Sequence, residues 1–160
     1  MARRTSKTVV RDIGVDARFN SELVQKLINI IMERGKKNIA RTIVYEAMDI
    51  LTGKMQGDSA KALGLFSRAI DNITPAIEVR ARRVGGSVYQ IPTEVYPRRA
   101  RSLALRWLVN GAAERRDERM GIRLAHELLE ASEGRGAAFK KKLDVHKMAE
   151  ANRAFSHYSW

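Results

Sequence analysis

Between Ile77 and Pro92 the hydrophobic pattern of this chain changes period. Ile77, Val79 and Ala81 alternate with Glu78, Arg80 and Arg82, Gly85-Gly86 interrupts the run, and Ser87-Val88-Tyr89-Gln90-Ile91 follows before Pro92. Period two on both sides of paired glycines predicts a β-hairpin, at about residues 76–92. Elsewhere the apolar residues recur at helical spacing, so no further strand is on offer. A lone two-stranded ribbon is marginal in water. This one must lean on helices or protrude toward a ligand, with Arg80, Arg82 and Arg83 at its tip. The expected fold class is mainly α: a single domain of about six helices with one protruding β-hairpin between helices three and four.

The helices are legible from stripes and punctuation. Asn20 and Ser21 offer cap oxygens before Leu23, Val24, Leu27, Ile28 and Ile31, and Gly35 offers a left-handed stop, which predicts a helix over about 21–34. Ile39, Ile43, Ala47, Ile50 and Leu51 mark a second helix running to Gly53. Leu63, Phe66, Ile70 and Ile73 mark a third that opens at Gly57-Asp58-Ser59 and ends near Asn72, because Pro75 forbids its continuation. From Arg98 a fourth carries Ala100, Leu103, Ala104, Trp107, Leu108 and Ala112, with Trp107 read as core. Asp117 is the expected cap of a fifth with Leu124, Ala125, Leu128 and Leu129, closed by Gly134. A sixth starts near Ala137 and carries Phe139, Leu143, Ala149 and Phe155.

The 160 residues hold 30 Lys and Arg against 18 Asp and Glu, a net charge of +12. The excess is focused. Residues 1–18 carry five basic and two acidic groups, residues 75–101 six and two, and residues 134–147 five and one, while the rest is nearly neutral. A neutral body with three positive patches is the footprint of a polyanion binder, whereas a merely solvated face mixes both signs. Residues 1–18 read as a basic, flexible amino-terminal arm and 19–160 as the helical domain. Lys140, Lys141 and Lys142 radiate about 100° apart around a helix, so a concave or wrapping polyanion would reach all three. Tyr89 and Tyr96 either stack on bases or pack at the ribbon's base, and the aromatic tail from Phe155 to Trp160 docks on the body or on a partner.

Several chemistries have no support. With no cysteine there are no disulfides, thiolate nucleophiles or Cys-ligated metals. His126, His146 and His157 lack the spacing of a zinc helix, and His146 with Glu150 reads as a surface pair. Gly35-Lys36-Lys37 lacks the remaining parts of a phosphate-binding loop. No apolar run exceeds three residues, so no membrane span is expected, and acidic Asp12 and Asp16 argue against a transit peptide. Acidic side chains such as Glu114, Asp117 and Glu118 are interleaved with arginines, which suits ion pairs on a helix better than a catalytic cleft. Neither enzyme activity, cofactor, metal nor small-molecule substrate is expected.

Val79-Arg-Ala-Arg-Arg-Val-Gly-Gly-Ser-Val-Tyr-Gln-Ile-Pro resembles the hairpin of the small-subunit ribosomal protein seven family in its bacterial form. Gly35-Lys36-Lys37 with Ile43-Val44-Tyr45, Pro97-Arg98-Arg99 leading to Ala104-Leu105-Arg106-Trp107, and Lys140-Lys141-Lys142 through Asp144 to Phe155 resemble that family too, from about Phe19 to Trp160. The resemblance implies a helical domain with an extended hairpin between helices three and four. It implies a structural constituent of the small subunit that binds the 3′ major domain of 16S-type ribosomal RNA, nucleates head assembly and lies near the exit site. It also implies a cytoplasmic location in the ribosome, bacterial or organelle-encoded.

By the same resemblance the RNA-binding residues are Arg3, Arg4, Lys7, Arg11, Lys36, Lys37, Arg80, Arg82, Arg83, Gly85, Gly86, Arg98, Arg99, Lys140, Lys141 and Lys142. Arg82, Arg83, Val84, Gly85 and Gly86 would lie near transfer RNA and messenger RNA. Small-subunit proteins nine and eleven are the implied protein partners. Two positions depart from the family's pattern: Ser159 stands where a basic residue is usual, and Leu143 where an acidic one is common. The rival reading from the residues alone is an architectural DNA-binding protein with a basic β-arm, for which Val84 is the sole wedge at the tip.

Overall fold

In the computed structural model, which describes residues 12–158, the elements run α1 (Glu22–Ile31), α2 (Lys37–Lys54), α3 (Ser59–Ile73), β1 (Ile77–Val84), β2 (Ser87–Glu94), α4 (Pro97–Glu114), α5 (Met120–Ser132) and α6 (Ala137–Ala151). A 3-10 turn over Arg153–Tyr158 follows. The six helices and the single hairpin between α3 and α4 are the expected architecture.

Polar side chains set several of the boundaries. Ser21 and Asp58 accept N–H groups from the first turns of α1 and α3. α5 ends in a left-handed Gly134, with the N–H of Gly134 on Ala131 and that of Arg135 on Glu130. Two expected boundaries move. α1 stops at Ile31, not near residue 34, because the apolar stripe ends there and Met32 turns extended. Arg34 and Gly35 then take positive φ values of 51° and 75°, so Gly35 serves the turn into α2 and does not cap α1. Asp117 does not cap α5. Arg119 stands at the cap position, while Asp117 faces the His126 ring at 3.2 Å and its carbonyl accepts from Arg123 at 2.5 Å.

The core is a helical sandwich around α5, which packs on α2, α3 and α4. It holds Val24, Leu27, Ile28, Val44, Met48, Leu51, Phe66, Ile70, Ile73, Leu105, Leu108, Leu124 and Leu128, each worth about 1.5–3 kcal/mol when fully buried. The buried stripe of α2 is Ala40, Val44, Ala47, Met48 and Leu51, one residue round from the expected one, and Ile39 is 57% exposed. Alanines at 40 and 47 let the neighbouring helix approach where a branched side chain would hold it off. Trp107 and Leu103 are only partly buried, Leu105 taking the inner position. On α6 only Ala138 and Ala149 are buried. Leu143, expected in the core, is exposed, and Phe155 lies in the 3-10 turn with its ring 5.0 Å from that of Tyr89.

One buried carboxylate organises the end of the bundle. Glu127, fully inaccessible, accepts from Arg115 at 2.7 Å and from the Ala138 N–H at 2.8 Å, so it caps α6 from inside the protein. Arg115 also grips Glu130. Burial alone would lower the Arg115 pKa, but the hydrogen bonds it donates to Glu130 and Glu127 outweigh it and hold the guanidinium above its usual value.

At the other end, Asp16 is buried and accepts the N–H groups of Arg18 and Phe19 and the Tyr45 hydroxyl at 2.8 Å. Burial pushes its carboxyl up, yet these hydrogen bonds prevail and lower it. Arg18 pairs with Asp49 and lies over the rings of Phe19 and Tyr45. Residues 16–19 are thereby fastened to α2.

The hairpin pairs Ile77 with Glu94 through to Val84 with Ser87, two residues beyond the expected Pro92. Gly85 and Gly86 close it with φ of 57° and 91°, a two-residue turn whose twist matches the strands and which L side chains disfavour. Pro92 sits within β2, tolerated because a two-stranded ribbon has only edges. Burial runs against polarity in the ribbon: Glu78 of β1 is 7% exposed, while Ile77 of β1 and Val88 of β2 face out.

Candidate nucleic-acid interface

Three helices begin without a side-chain cap and without an acidic residue in the first turn: α2, α4 and α5. At each of them stand cations instead. Lys36 and Lys37 open α2 beside left-handed Arg34, Arg98 and Arg99 follow Pro97 in α4, and Arg119 precedes α5. The positive end of a helix dipole repels such residues. Glu78 offsets this in part at Arg99, and Glu46 at Arg119, 3.3 Å away. Among the described residues no acid is paired with Lys36 or Lys37, so the start of α2 is electrostatically unfavourable in the free protein. An anion there would accept backbone N–H groups and pair with the side chains together. The lysines at 36 and 37, and Arg98, Arg99 and Arg119, are exposed.

Glu78 joins the hairpin to α4. Its carboxylate accepts from Arg80 Nε at 2.7 Å and from Arg99 Nε at 2.9 Å, and both guanidiniums remain about half exposed. Burial raises the Glu78 pKa, and the hydrogen bonds from Arg99 and Arg80 more than reverse that. Arg80 therefore belongs to the root of the ribbon, not its tip, because Ile91 opposite it is buried and fixes that end against the body. Arg83 is exposed near the turn and Arg82 half-buried. Tyr89 packs on Phe155, whereas Tyr96, 82% exposed, does not share that fate.

The three lysines of α6 part company. Lys140 and Lys141 line a groove between α4 and α6 with Trp107. Lys142 turns inward, donates to the Asn72 carbonyl at 2.6 Å and lies over the Phe139 ring, and burial lowers its pKa. His146 is not paired with Glu150; its Nε2 accepts from the Ala76 N–H at 3.4 Å at the hairpin root. Burial, with the charge of Lys142 adding to it, keeps this imidazole below its usual pKa and so neutral.

The structure thus brings together Arg80 and Arg99, and separately Lys140 and Lys141. Lys36 and Lys37 stand apart at the start of α2. Arg3, Arg4, Lys7 and Arg11 lie outside the described residues, as does most of the proposed arm. Three cations escape sequence reasoning. Lys26 and Arg101 line, with the expected Arg98, a groove of about 380 Å³ between α1 and α4, and Arg119 marks the start of α5. Arg101 stands three residues after Arg98, one turn on, and that spacing was the available signal. Among the described residues no group of three or more His, Cys, Asp or Glu is gathered to hold a metal, and no helix is long and apolar enough to cross a membrane.

A helical body with one short basic arm and cations at uncapped helix starts belongs to the class of structural proteins that present charge over a broad surface. The model of the family described as ribosomal protein S7p/S5e matches residues 2–153. Proteins named small ribosomal subunit protein uS7 are similar throughout. The one from Colwellia psychrerythraea is 53% identical over 150 residues and the one from Shewanella amazonensis 51% over 150, each alignment covering 94% of both chains. That of Blochmanniella floridana is 49% identical over 160 residues, all of both chains. The chain belongs to the S7p/S5e family of ribosomal proteins, whose members are structural components and not enzymes.

Proposed function

We propose that this ribosomal protein is built into the small subunit as a primary binder of its RNA. It takes the 3′ major domain of the 16S-type RNA, nucleates assembly of the subunit head, and lies near the exit site with residues 82–86 of its hairpin close to transfer RNA and messenger RNA. Small-subunit proteins nine and eleven are its protein neighbours, and its place is the ribosome of a bacterial cytoplasm or of an organelle. The small-subunit names of its relatives support this address.

The observation that carries the reading is the placement of cations at helix starts with no acid of their own. Phosphates complete those starts, and each cation that replaces a condensed counterion adds about 0.7 to the log–log salt slope on single-stranded RNA. Specific recognition comes from shape. A rigid helical face and one arm suit a multi-helix junction better than the deep groove of A-form RNA.

The test is a salt-titrated competition among a 3′ domain transcript, a length-matched scrambled RNA and duplex DNA. Preference for the transcript that survives moderate salt is the expected result. Equal binding to all three, lost together as salt rises, would restore the architectural DNA-binding alternative.

A further inference from the structure

The groove between α4 and α6 has a composition that a phosphate site does not need. It encloses about 450 Å³, within the roughly 300–1,000 Å³ of small-ligand sites, and is lined by Trp107, Asn110 and Glu114 from α4 and by Lys140, Lys141 and Asp144 from α6. The spacings put each set on one helix face. The two faces meet at Gly111, where an added Cβ would lie 3.1 Å from the Ala138 nitrogen and 3.3 Å from the Ala137 Cβ. Trp107 is partly buried against the core and also lines the groove. Ala137, the first residue of α6, also lines it, but Glu127 already caps that helix from inside, so the groups free to meet an anion are the two lysines.

Two lysines balance two carboxylates, so net charge recommends no simple polyanion. A nucleotide uses each part. An unpaired base stacks on the indole, its phosphates meet Lys140 and Lys141, and Asn110, Glu114 and Asp144 meet its edge. Carboxylates accept but do not donate. They therefore select a base whose edge donates, and guanine places two adjacent N–H groups on one side. We propose that this groove is the binding site for a single unpaired guanine nucleotide of the RNA; the inference rests on the RNA-binding reading above and adds the site and the kind of nucleotide it takes.

The test uses the full chain carrying Trp160→Phe, so that Trp107 is the only emitter, titrated with the 3′ domain transcript. Binding should quench Trp107. Trp107→Leu should weaken binding on the order of tenfold at an unchanged salt slope, Trp107→Phe should restore most of it, and Lys140→Gln with Lys141→Gln should lower the slope by roughly 1.4. A transcript with inosine in place of guanosine, which lacks the exocyclic amino group, should bind more weakly and quench less. Preferential binding of the transcript with no quench, and with lysine variants indistinguishable from wild type, overturns the groove and leaves the RNA-binding reading standing. Loss of preference for the transcript in the parent chain overturns both. The lysines are exposed, so their variants decide the matter even if Trp107→Leu fails to fold. Quenching that survives inosine substitution overturns the choice of guanine.

Discussion

Glu127 and Glu78 are both buried carboxylates that grip arginine, and they hold it for different ends. Glu127 sits inside the bundle, and its partner Arg115 is four-fifths buried, so that pair joins α4, α5 and α6 into one packed unit. Glu78 sits at the hairpin root, and its partners Arg80 and Arg99 remain about half in solvent. The first ion pair is closed. The second is a mount that fixes two guanidiniums at the surface without using them up. Arginine count alone would have treated the two alike; partner burial separates structural cations from displayed ones.

Breaking the closed pair should have the largest effect. Glu127→Ala leaves Arg115 without its innermost partner and the Ala138 N–H without its acceptor, and should cost about 3–5 kcal/mol in denaturant unfolding. Gly111→Ala strikes the same region by overpacking: the new methyl meets the Ala138 backbone nitrogen and the buried Glu127 carboxylate, and should cost about 1–3 kcal/mol by the same measurement.

At the open mount the stability effect should be smaller and should depend on pH. In the folded chain the Glu78 pKa lies below its usual 4.5. Its contribution is therefore complete above that value and disappears as pH falls through the lowered one. Glu78→Gln should be less stable than wild type at pH 7, and the gap should narrow on acidification, as read from denaturant melts across that range. Screening of the half-exposed arginines keeps the gap modest.

The smallest effect on stability should come from the arm. Arg83→Ala should leave unfolding unchanged within about 0.5 kcal/mol and lower the RNA salt slope by about 0.7, measured by binding at several salt concentrations. Arg80→Ala should lower the slope by less and cost some stability as well, since Glu78 then loses a partner. Equal results from the two arginines would erase the distinction between root and tip.

Much of the fold was open to sequence reasoning because period and punctuation are local. The stripe of α3, the Ser21 cap and the Gly85-Gly86 turn needed nothing beyond neighbours along the chain. Failures occur where a tertiary partner decides. Ala40 and Ala47 displaced Ile39 from the core because α5 must come close. Glu78 is buried against the polarity of its strand because Arg99, twenty-one residues on, pairs with it. Lys142 left the lysine cluster for a carbonyl on α3. The candidate site was legible as a set of basic residues, but not as an arrangement. Whether a lysine faces solvent, a groove or a helix end depends on contacts that no spacing in the sequence records.

The central position of α5 has a consequence for how the chain is made. Its partners α2 and α3 are complete by Ile73, yet the helix that covers them ends at Ser132. At roughly 5–20 residues per second of synthesis, those apolar faces wait about 3–12 s for their cover. During that interval the nascent chain exposes Val44, Met48, Phe66 and Ile70 together. The protein can complete its core only late, almost as a single event, and a truncation before residue 132 should yield an aggregating fragment, not a smaller folded domain.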